Sequence, residues 1–367
     1  MNRSSQKGGD GSTNIQAGQL IVHTGIDEKR AREICQEMNL QLRASYTEEA
    51  LIVARQRVAE FEDRLMPKME RVEGALQAFA DPGFQLLLAD AQKIAAATER
   101  PQDYDLLSEL LIHRFQKDKN RDARAGIQLA VGIIDKISDE GLQALTVAHA
   151  VNNFAPLSGD IYQGLDILNT LFGKLLYSEL PSNTDWFDHL DILDCVRVDS
   201  LHRLKTTQEY YPESLSGYVD VGIEKNSENH RAALDILRQH NLPINLLVDH
   251  PLNTNFQRIA LANRGHINTF HLIQTFNVGD KTITLPIAIT DEQKKSINAV
   301  YDLYSKDGNL RRNNIDIFMS EWDRRAHLKA LKVWWDAIPF AFKITSVGKV
   351  LAHANAQRCD NTLPPLN

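Results

Sequence analysis

The sequence predicts a mainly α-helical protein with a β-forming leader at its N-terminus and a mixed α/β region at its C-terminus. Over most of residues 27–195, apolar residues recur every three or four positions, which is the period of an amphipathic helix. The stretch 8–24 and several runs after residue 196 instead alternate at period two, as strands do. We therefore divide the chain into a leader (1–26), a long helical hairpin or stalk (27–80), an α-helical domain (81–195) and a mixed α/β domain (196–367).

Length and composition are typical of a folded protein that has more than one hydrophobic core. Of the 367 residues, 43% are hydrophobic and 24% are charged. The formal net charge of −7 argues against broad, sequence-independent binding to nucleic acid. The three cysteines form no CxxC pair, and no apolar run reaches the roughly 18–20 residues of a transmembrane helix. These features predict a cytoplasmic protein without a transmembrane segment.

The leader is the stretch GGDGSTNIQAGQLIVHT, residues 8–24, in which Gly18 separates two alternating runs. A short strand cannot bury enough surface alone, so it must pair with its own chain or with copies of itself. Because the next strand-like runs begin only near residue 196, we expect pairing between protomers; docking onto the C-terminal strands is the alternative. The residues predicted to mediate oligomerisation are Thr13, Ile15, Ala17, Leu20 and Val22.

A long helix is predicted over about residues 46–80. Ser45 and Glu48 have the spacing of a capping box, and apolar residues follow at steps of three and four from Leu51 to Phe79. Pro67 lies at an irregular step of this seam, where it predicts a kink or a break. We favour packing of the seam against later helices of the same chain; an intermolecular helical stalk is the alternative.

Later segments indicate short helices and then a mixed region. Asp81 and Pro82 open the next helix as its N-cap and first residue. The turn residues 278–281 lie between two alternating runs and predict a β-hairpin. From Thr290 onwards, two helices, a short strand and a final helix predict a C-terminal module similar to a winged helix-turn-helix.

Acidic residues on one predicted helix are the first candidate site. The run DWFDHLDILD brings carboxylates onto successive turns, and carboxylate oxygens are ligands that Mg²⁺ accepts. Because Trp186 and Phe187 must take the buried face, we favour a solvent-exposed acidic face over a metal site. The weak metal candidates are Asp185, Asp188 and Asp191. The phosphate-binding and GxSxG motifs are absent from the sequence, so we assign no catalytic residue and expect no cofactor.

Basic and aromatic residues near the C-terminus are the second candidate site. Cations there would contact phosphates, and the tryptophans at 322, 334 and 335 would stack on exposed bases. The alternative is that the tryptophans form the core of the module and the cations cover its outside. The candidate nucleic-acid residues are Arg311, Arg312, Arg324, Arg325 and Lys329.

Several stretches resemble bacterial defence proteins. The segment GGDGSTNIQAG resembles the N-terminal strand of a group of uncharacterised bacterial proteins, and similar strands precede helical or effector domains in bacterial conflict systems. The leader departs from their common form at Gly11, where asparagine is frequent. ISDEGLQAL (137–145), DHLDILDCVRVDSL (188–201) and FKITSVGKVLAHAN (342–355) are similar to abortive-infection alpha-type proteins. The resemblance implies a cytoplasmic bacterial protein of antiphage defence, with no family catalytic residues to transfer.

Together these features lead to three functional hypotheses. The first is a non-enzymatic, homo-oligomeric bacterial protein of antiphage defence or stress response, which assembles through its leader and senses or binds a partner. A phage or host protein is the expected trigger. The second is a nucleic-acid-binding protein that uses the C-terminal module. The third is a metal-dependent nuclease that uses the three aspartates.

Overall fold

The computed structural model describes residues 26–39, 46–117, 120–278 and 281–366. Within these ranges helices dominate and the strands are few and short, which confirms the mainly α fold class. None of the helices in these ranges is long and apolar enough to cross a membrane. The leader and its predicted oligomerisation residues lie outside the described residues; these are Thr13, Ile15, Ala17, Leu20 and Val22.

The first two helices are α1 (Glu28–Asn39) and α2 (Glu48–Arg71), and a 3-10 helix follows at Ala75–Ala80. Thr47 caps α2, because its hydroxyl accepts a hydrogen bond from the backbone N–H of Ala50. The predicted capping box of Ser45 and Glu48 is wrong, since Glu48 is the first residue of the helix rather than its third; Ser45 itself lies outside the described residues. The predicted break at Pro67 is wrong, since α2 continues through it to Arg71. Pro67 lies in the last turns of the helix, where it removes only one intrahelical hydrogen bond. The helix ends at Arg71, whereas the sequence predicted an end near residue 80.

Six further helices complete the first half of the chain. They are α3 (Pro82–Ala97), α4 (Pro101–Gln116), α5 (Arg121–Val131), α6 (Asp139–Asn153), α7 (Ile161–Leu175) and α8 (Asp185–Ile192). Asp81 caps α3 as predicted, with its carboxylate accepting from the backbone N–H of Phe84 at 2.7 Å. The apolar seam of α2 packs against α3 and α4 of the same chain, with Phe61 and Leu65 fully buried. This arrangement confirms the interpretation that we favoured from the sequence.

The second half alternates short strands with helices. Its first part contains β1 (Val196–Asp199), α9 (Thr207–Ser214), α10 (Ser216–Val219), β2 (Ile223–Glu224), α11 (Glu228–Gln239), a 3-10 helix (Ile244–Leu246), β3 (Leu247–Asp249), β4 (Phe256–Ile259) and a 3-10 helix (Arg264–Thr269). Its second part contains β5 (His271–Val278), β6 (Lys281–Ala288), α12 (Asp291–Asp302), α13 (Gly308–Asp323), α14 (Ala326–Asp336), β7 (Ala341–Ile344) and α15 (Ser346–Cys359).

The described strands form three small antiparallel sheets. Strand β1 pairs with β7, with Val196 opposite Ile344, so that the middle of the chain meets its end. Strands β2, β4 and β3 form a three-stranded sheet in that order. Strands β5 and β6 pair with each other, with Val278 opposite Lys281, which confirms the predicted hairpin.

Two large hydrophobic cores organise the described residues, beside a small cluster of Ala54, Val58 and Ala96. The larger core takes buried side chains from α1 to α10 and again from α13 to α15. The smaller core takes them from β2, β3, β4, α11 and α12. Because α15 packs against α4, α5 and α6, the larger core crosses the boundary predicted at residue 195. The helices predicted for the winged-helix module are divided between the cores, with α12 in the smaller one and α13 to α15 in the larger.

A buried arginine links the smaller core unit to the helical body. Arg258 on β4 is 1% exposed, and its guanidinium donates to the carbonyl oxygens of Gly217 (3.0 Å), Leu261 (3.3 Å) and Gly159. Within the described part of the chain, no carboxylate forms an ion pair with Arg258, and burial lowers its pKa. Carbonyl dipoles thus solvate a buried cation where the two units meet.

Candidate functional site

A large apolar pocket lies between the segment that joins α7 to α8 and the outer face of α14. Its volume is about 880 Å³, which is within the range of roughly 300–1,000 Å³ that is usual for ligand sites. Its apolar walls include Leu180, Pro181, Trp186, Phe187, Val333 and Trp334. The side chain of Val333 is 67% exposed, so apolar surface is open to an incoming molecule.

The pocket exists because α14 is apolar on two opposite faces. Leu328, Leu331 and Trp335 point into the larger core. Ala330 and Val333 fall on the opposite side at helical spacing and line the pocket. A helix that is apolar all round is normally buried on all sides. This second apolar face is the signal by which the sequence alone would have revealed the pocket, and we did not use it.

Aromatic rings form the floor of the pocket. Trp186 and Phe187 stack with their ring centroids 3.6 Å apart, and Phe342 packs against Phe187 at 5.2 Å. Trp334 lies 5.9 Å from Trp186, and its Nε1 donates a hydrogen bond to the carbonyl oxygen of Pro181 at 3.1 Å. Each ring is thus held by another ring or by a hydrogen bond, which gives the pocket a preformed shape.

The rim of the pocket is polar. It consists of Ser178, Glu179, Ser182, Asn183, Thr184 and Lys329. The amide and hydroxyl groups offer both donors and acceptors to the backbone or polar atoms of a bound molecule. Lys329 takes part in none of the ion pairs among the described residues, so its ammonium group is free to meet a ligand. The lining contains neither histidine nor cysteine, and the arrangement suits binding.

The predicted metal candidates lie beside this pocket but face away from it. They are Asp185, Asp188 and Asp191 on α8. All three are exposed, because Trp186 and Phe187 take the buried face of this short helix. Asp191 lies 3.7 Å from the guanidinium of Arg197. Over the described ranges, no group of three or more His, Cys, Asp and Glu side chains is arranged to hold a metal ion.

The predicted basic residues do not form one surface. Arg311 pairs with Asp220 at 3.0 Å, and Arg325 pairs with Asp166 at 2.7 Å across the fold. Arg324 pairs with Glu321 of its own helix. Arg312 donates to neighbouring oxygens of α13, including Asn309 Oδ1 at 2.8 Å. Of the five predicted cations, Lys329 is the one that lines the apolar pocket.

The tryptophans are mostly structural. Trp322 is fully buried and donates to the carbonyl oxygen of Leu328 at 2.7 Å. Trp335 is 3% exposed and donates to the carbonyl oxygen of Lys205. Trp334 alone of these three lines a pocket described here, where it meets Lys329. The structure therefore brings together only one cation and one tryptophan of the predicted nucleic-acid surface.

A buried histidine relay connects α6, α15 and the C-terminal segment. His353 Nε2 lies 2.9 Å from the carbonyl oxygen of Pro364, which can only accept, so Nε2 carries the proton. His353 Nδ1 is then an acceptor, and His149 Nε2 donates to it at 3.2 Å. Asn153 donates to His149 Nδ1 at 3.1 Å. Burial lowers the pKa of His149 to about 3 and that of His353 to about 4, so both rings stay neutral near pH 7.

Comparison with known proteins places nearly the whole chain within one family model. The model is that of an uncharacterised family, described only as ":-like", and it matches residues 25–363. Every element from α1 to α15 lies within this range, and so do the residues that line the apolar pocket and the two buried histidines, His149 and His353. No curated protein and no solved structure matches the chain.

Proposed function

We infer that this chain, a member of the ":-like" family, is a non-enzymatic binding protein that recognises a partner through the apolar pocket. The observation that supports this function is the pocket itself, with its aromatic floor, its open apolar wall and its polar rim. Preformed apolar pockets with a few convergent polar groups are where proteins hold ligands and partner segments.

The proposed occupant is an apolar segment of a phage or host protein. The pocket is open along α14, where Val333 is largely exposed. An open groove suits a segment of polypeptide better than a small molecule that must be enclosed on all sides. Its apolar side chains would pack on Trp186 and Trp334, while the rim would satisfy the backbone of the segment. The similarity to abortive-infection alpha-type proteins supports antiphage defence as the setting, with the bound segment as the trigger.

Replacing Val333 with aspartate is expected to weaken binding of an apolar molecule about tenfold, because a carboxylate in the wall must lose its hydration when the pocket fills. The probe is the neutral dye Nile red, and its own fluorescence reports binding. Leu86→Asp on α3 is the matched control, since Leu86 is 66% exposed and Val333 is 67% exposed. Equal affinity in the two variants would contradict the proposed site.

The same pair of variants tests the biological role. In a bacterial strain that expresses the protein, protection against phage should be lost in Val333→Asp and kept in Leu86→Asp, as measured by plating efficiency. Equal protection by both variants would show that the pocket is not needed for defence. If the unaltered protein itself gives no protection, the proposed role in defence is wrong, whereas the result of the binding test still stands.

Assembly through the leader is the second part of the proposal. Deleting residues 1–25 should reduce the oligomer to a smaller species in light scattering, because the paired strands are removed while the two cores keep their residues. Circular dichroism of the truncated chain checks that the helices remain folded. An unchanged mass per particle would refute assembly through this segment.

Nucleic-acid binding by a winged-helix-like module and metal-dependent nuclease activity stay predictions. Neither draws support from the geometry, because Trp322 and Trp335 are buried and most of the predicted cations already pair with acidic groups. We therefore do not advance either as a second function.

A further inference from the structure

A second, smaller pocket lies where the two cores meet. Its volume is about 260 Å³, and it is lined by the segment after α10, the start of the 3-10 helix at Arg264, the end of α12 and the start of α13. Helices α10 and α13 contribute to the larger core, whereas α12 contributes to the smaller one. A ligand held in this pocket would therefore contact both units, as is common for sites between domains.

The charges of this pocket leave one cation, Lys306, without an ion pair among the described residues. The charged residues that line it are Asp220, Arg264, Lys306, Asp307 and Arg311. The Asp307 carboxylate caps α13 by accepting from the backbone N–H groups of Asn309 and Leu310 at 2.8 and 3.2 Å. The Asp220 carboxylate is engaged by Arg311 at 3.0 Å. Lys306 is exposed and enters no ion pair within the part of the chain that the structure describes.

Arg264 is held in place with its guanidinium beside the pocket. Its Nε donates to Asn298 Oδ1 at 2.6 Å, and one terminal nitrogen lies 3.1 Å from Asp302 Oδ1. Its Cζ lies 5.3 Å from the centre of the Tyr301 ring. These contacts fix the position of the guanidinium before any ligand arrives, which lowers the entropy lost on binding.

Tyr301 supplies the observation that points to a missing ligand. The residue is 6% exposed, and its hydroxyl is buried beside the pocket without a hydrogen-bond partner among the described residues. The neighbouring Tyr304 is satisfied, because its hydroxyl accepts from the backbone N–H of Ile259 at 2.6 Å. Burial raises the pKa of Tyr301, so its hydroxyl stays protonated and can donate. An unsatisfied buried hydroxyl is costly, which favours an acceptor arriving from outside.

We propose that this pocket binds a phosphate group, either as free phosphate or at the end of a small monoester, with Lys306, Arg264 and Tyr301 as donors to its oxygens. The Lys306 ammonium supplies the unpaired positive charge. Arg264 is already paired with Asp302 and donates through Nη1, which makes no hydrogen bond within the described residues, and the tyrosine hydroxyl contributes one further hydrogen bond. The pocket is too small for a whole nucleotide, since nucleotide-sized ligands occupy larger clefts. Binding would link the smaller core unit, which carries Arg264 and Tyr301, to the segment that leads into α13, which carries Lys306.

Isothermal titration of the full chain with inorganic phosphate and with ribose 5-phosphate tests this proposal. Saturable binding to one site is expected, and it should weaken about tenfold in Lys306→Ala and in Tyr301→Phe. Lys295→Ala is the matched control, since Lys295 is an exposed lysine of α12 that does not line the pocket. Tyr301→Phe should keep the melting temperature of the ligand-free protein, because the hydroxyl that it removes has no partner.

The outcomes separate the two sources of the phosphate group. Tighter binding of ribose 5-phosphate assigns the site to a monoester, and equal affinity assigns it to free phosphate. The proposal is overturned if neither probe gives saturable heat in the millimolar range, or if Lys295→Ala weakens binding as much as Lys306→Ala. These results are independent of the apolar pocket, whose test uses another probe and other variants.

Discussion

Replacing Arg258 with methionine is expected to lower the free energy of unfolding by about 3–5 kcal/mol, because several buried carbonyl groups lose their donor at once. Methionine keeps the length and much of the volume of the side chain, so the change removes hydrogen bonds more than packing. The carbonyl oxygens of Gly159, Gly217 and Leu261 would each be left without the guanidinium in a dry junction. Urea denaturation followed by circular dichroism measures the effect.

Arg238→Met is the control for this prediction. Arg238 is 62% exposed and, among the described residues, pairs only with Asp235 of its own helix, so its loss should change stability by less than about 0.5 kcal/mol. Arg258→Lys should also be destabilising, because an ammonium cannot reach carbonyl oxygens on several sides as a planar guanidinium does. If the stability of Arg258→Met differs from that of the unaltered protein by less than about 0.5 kcal/mol, the junction does not depend on this cation.

Replacing Gly348 with alanine is expected to destabilise the protein by about 2 kcal/mol or more, as overpacking against backbone does. A Cβ at this position would overlap the carbonyl oxygen of Cys195, just before β1, and would press on Ile344 of β7. The contact is tight because the Thr345 hydroxyl joins the start of α15 to the carbonyl oxygen of Cys195 at 3.2 Å. Calorimetric melting of the variant measures the loss.

Gly308→Ala should have the opposite sign and serves as the control. Gly308 is the first residue of α13, and a Cβ there would meet no atom within 4 Å. Alanine reduces the conformational freedom of the unfolded chain, so this variant should be neutral or slightly more stable. Helix propensity alone predicts a gain of up to about 1 kcal/mol at both positions. Equal melting temperatures for the two variants would mean that α15 moves away from β1 at little cost.

The features that could be predicted from the sequence depend on residues close together in the chain. Asp81 caps α3 because the cap involves only the next few residues, and the β5–β6 hairpin follows from a turn between two alternating runs. The buried face of α8 was also predicted, since the positions of Trp186 and Phe187 within one helix decide it. The length of α2 was not predicted. The helix continues past Pro67, because the buried side chains of Met66 and Met69 pack its last turns against the core, and it ends at Arg71.

The candidate sites depend on residues far apart in the chain, and there the sequence had little power. Arg325 was predicted to meet phosphates, but it pairs with Asp166, which no spacing rule connects to it. His149 and His353 meet across the larger core because α6 packs on α15. The apolar pocket needs the α7–α8 segment and α14 side by side. The smaller pocket likewise needs Asp220 and Arg264 beside the segment that joins α12 to α13.

The sequence by itself determined the helical class, the Asp81 cap of α3, the hairpin and the buried face of α8, because these follow from short-range hydrogen bonding and periodic burial. Only the tertiary structure decided which charges are neutralised, which tryptophans are buried and where apolar surface stays open. The physical reason is that a side chain is free to bind another molecule only if no distant part of the fold already pairs with it or covers it. Lys329 and Val333 meet that condition at the apolar pocket.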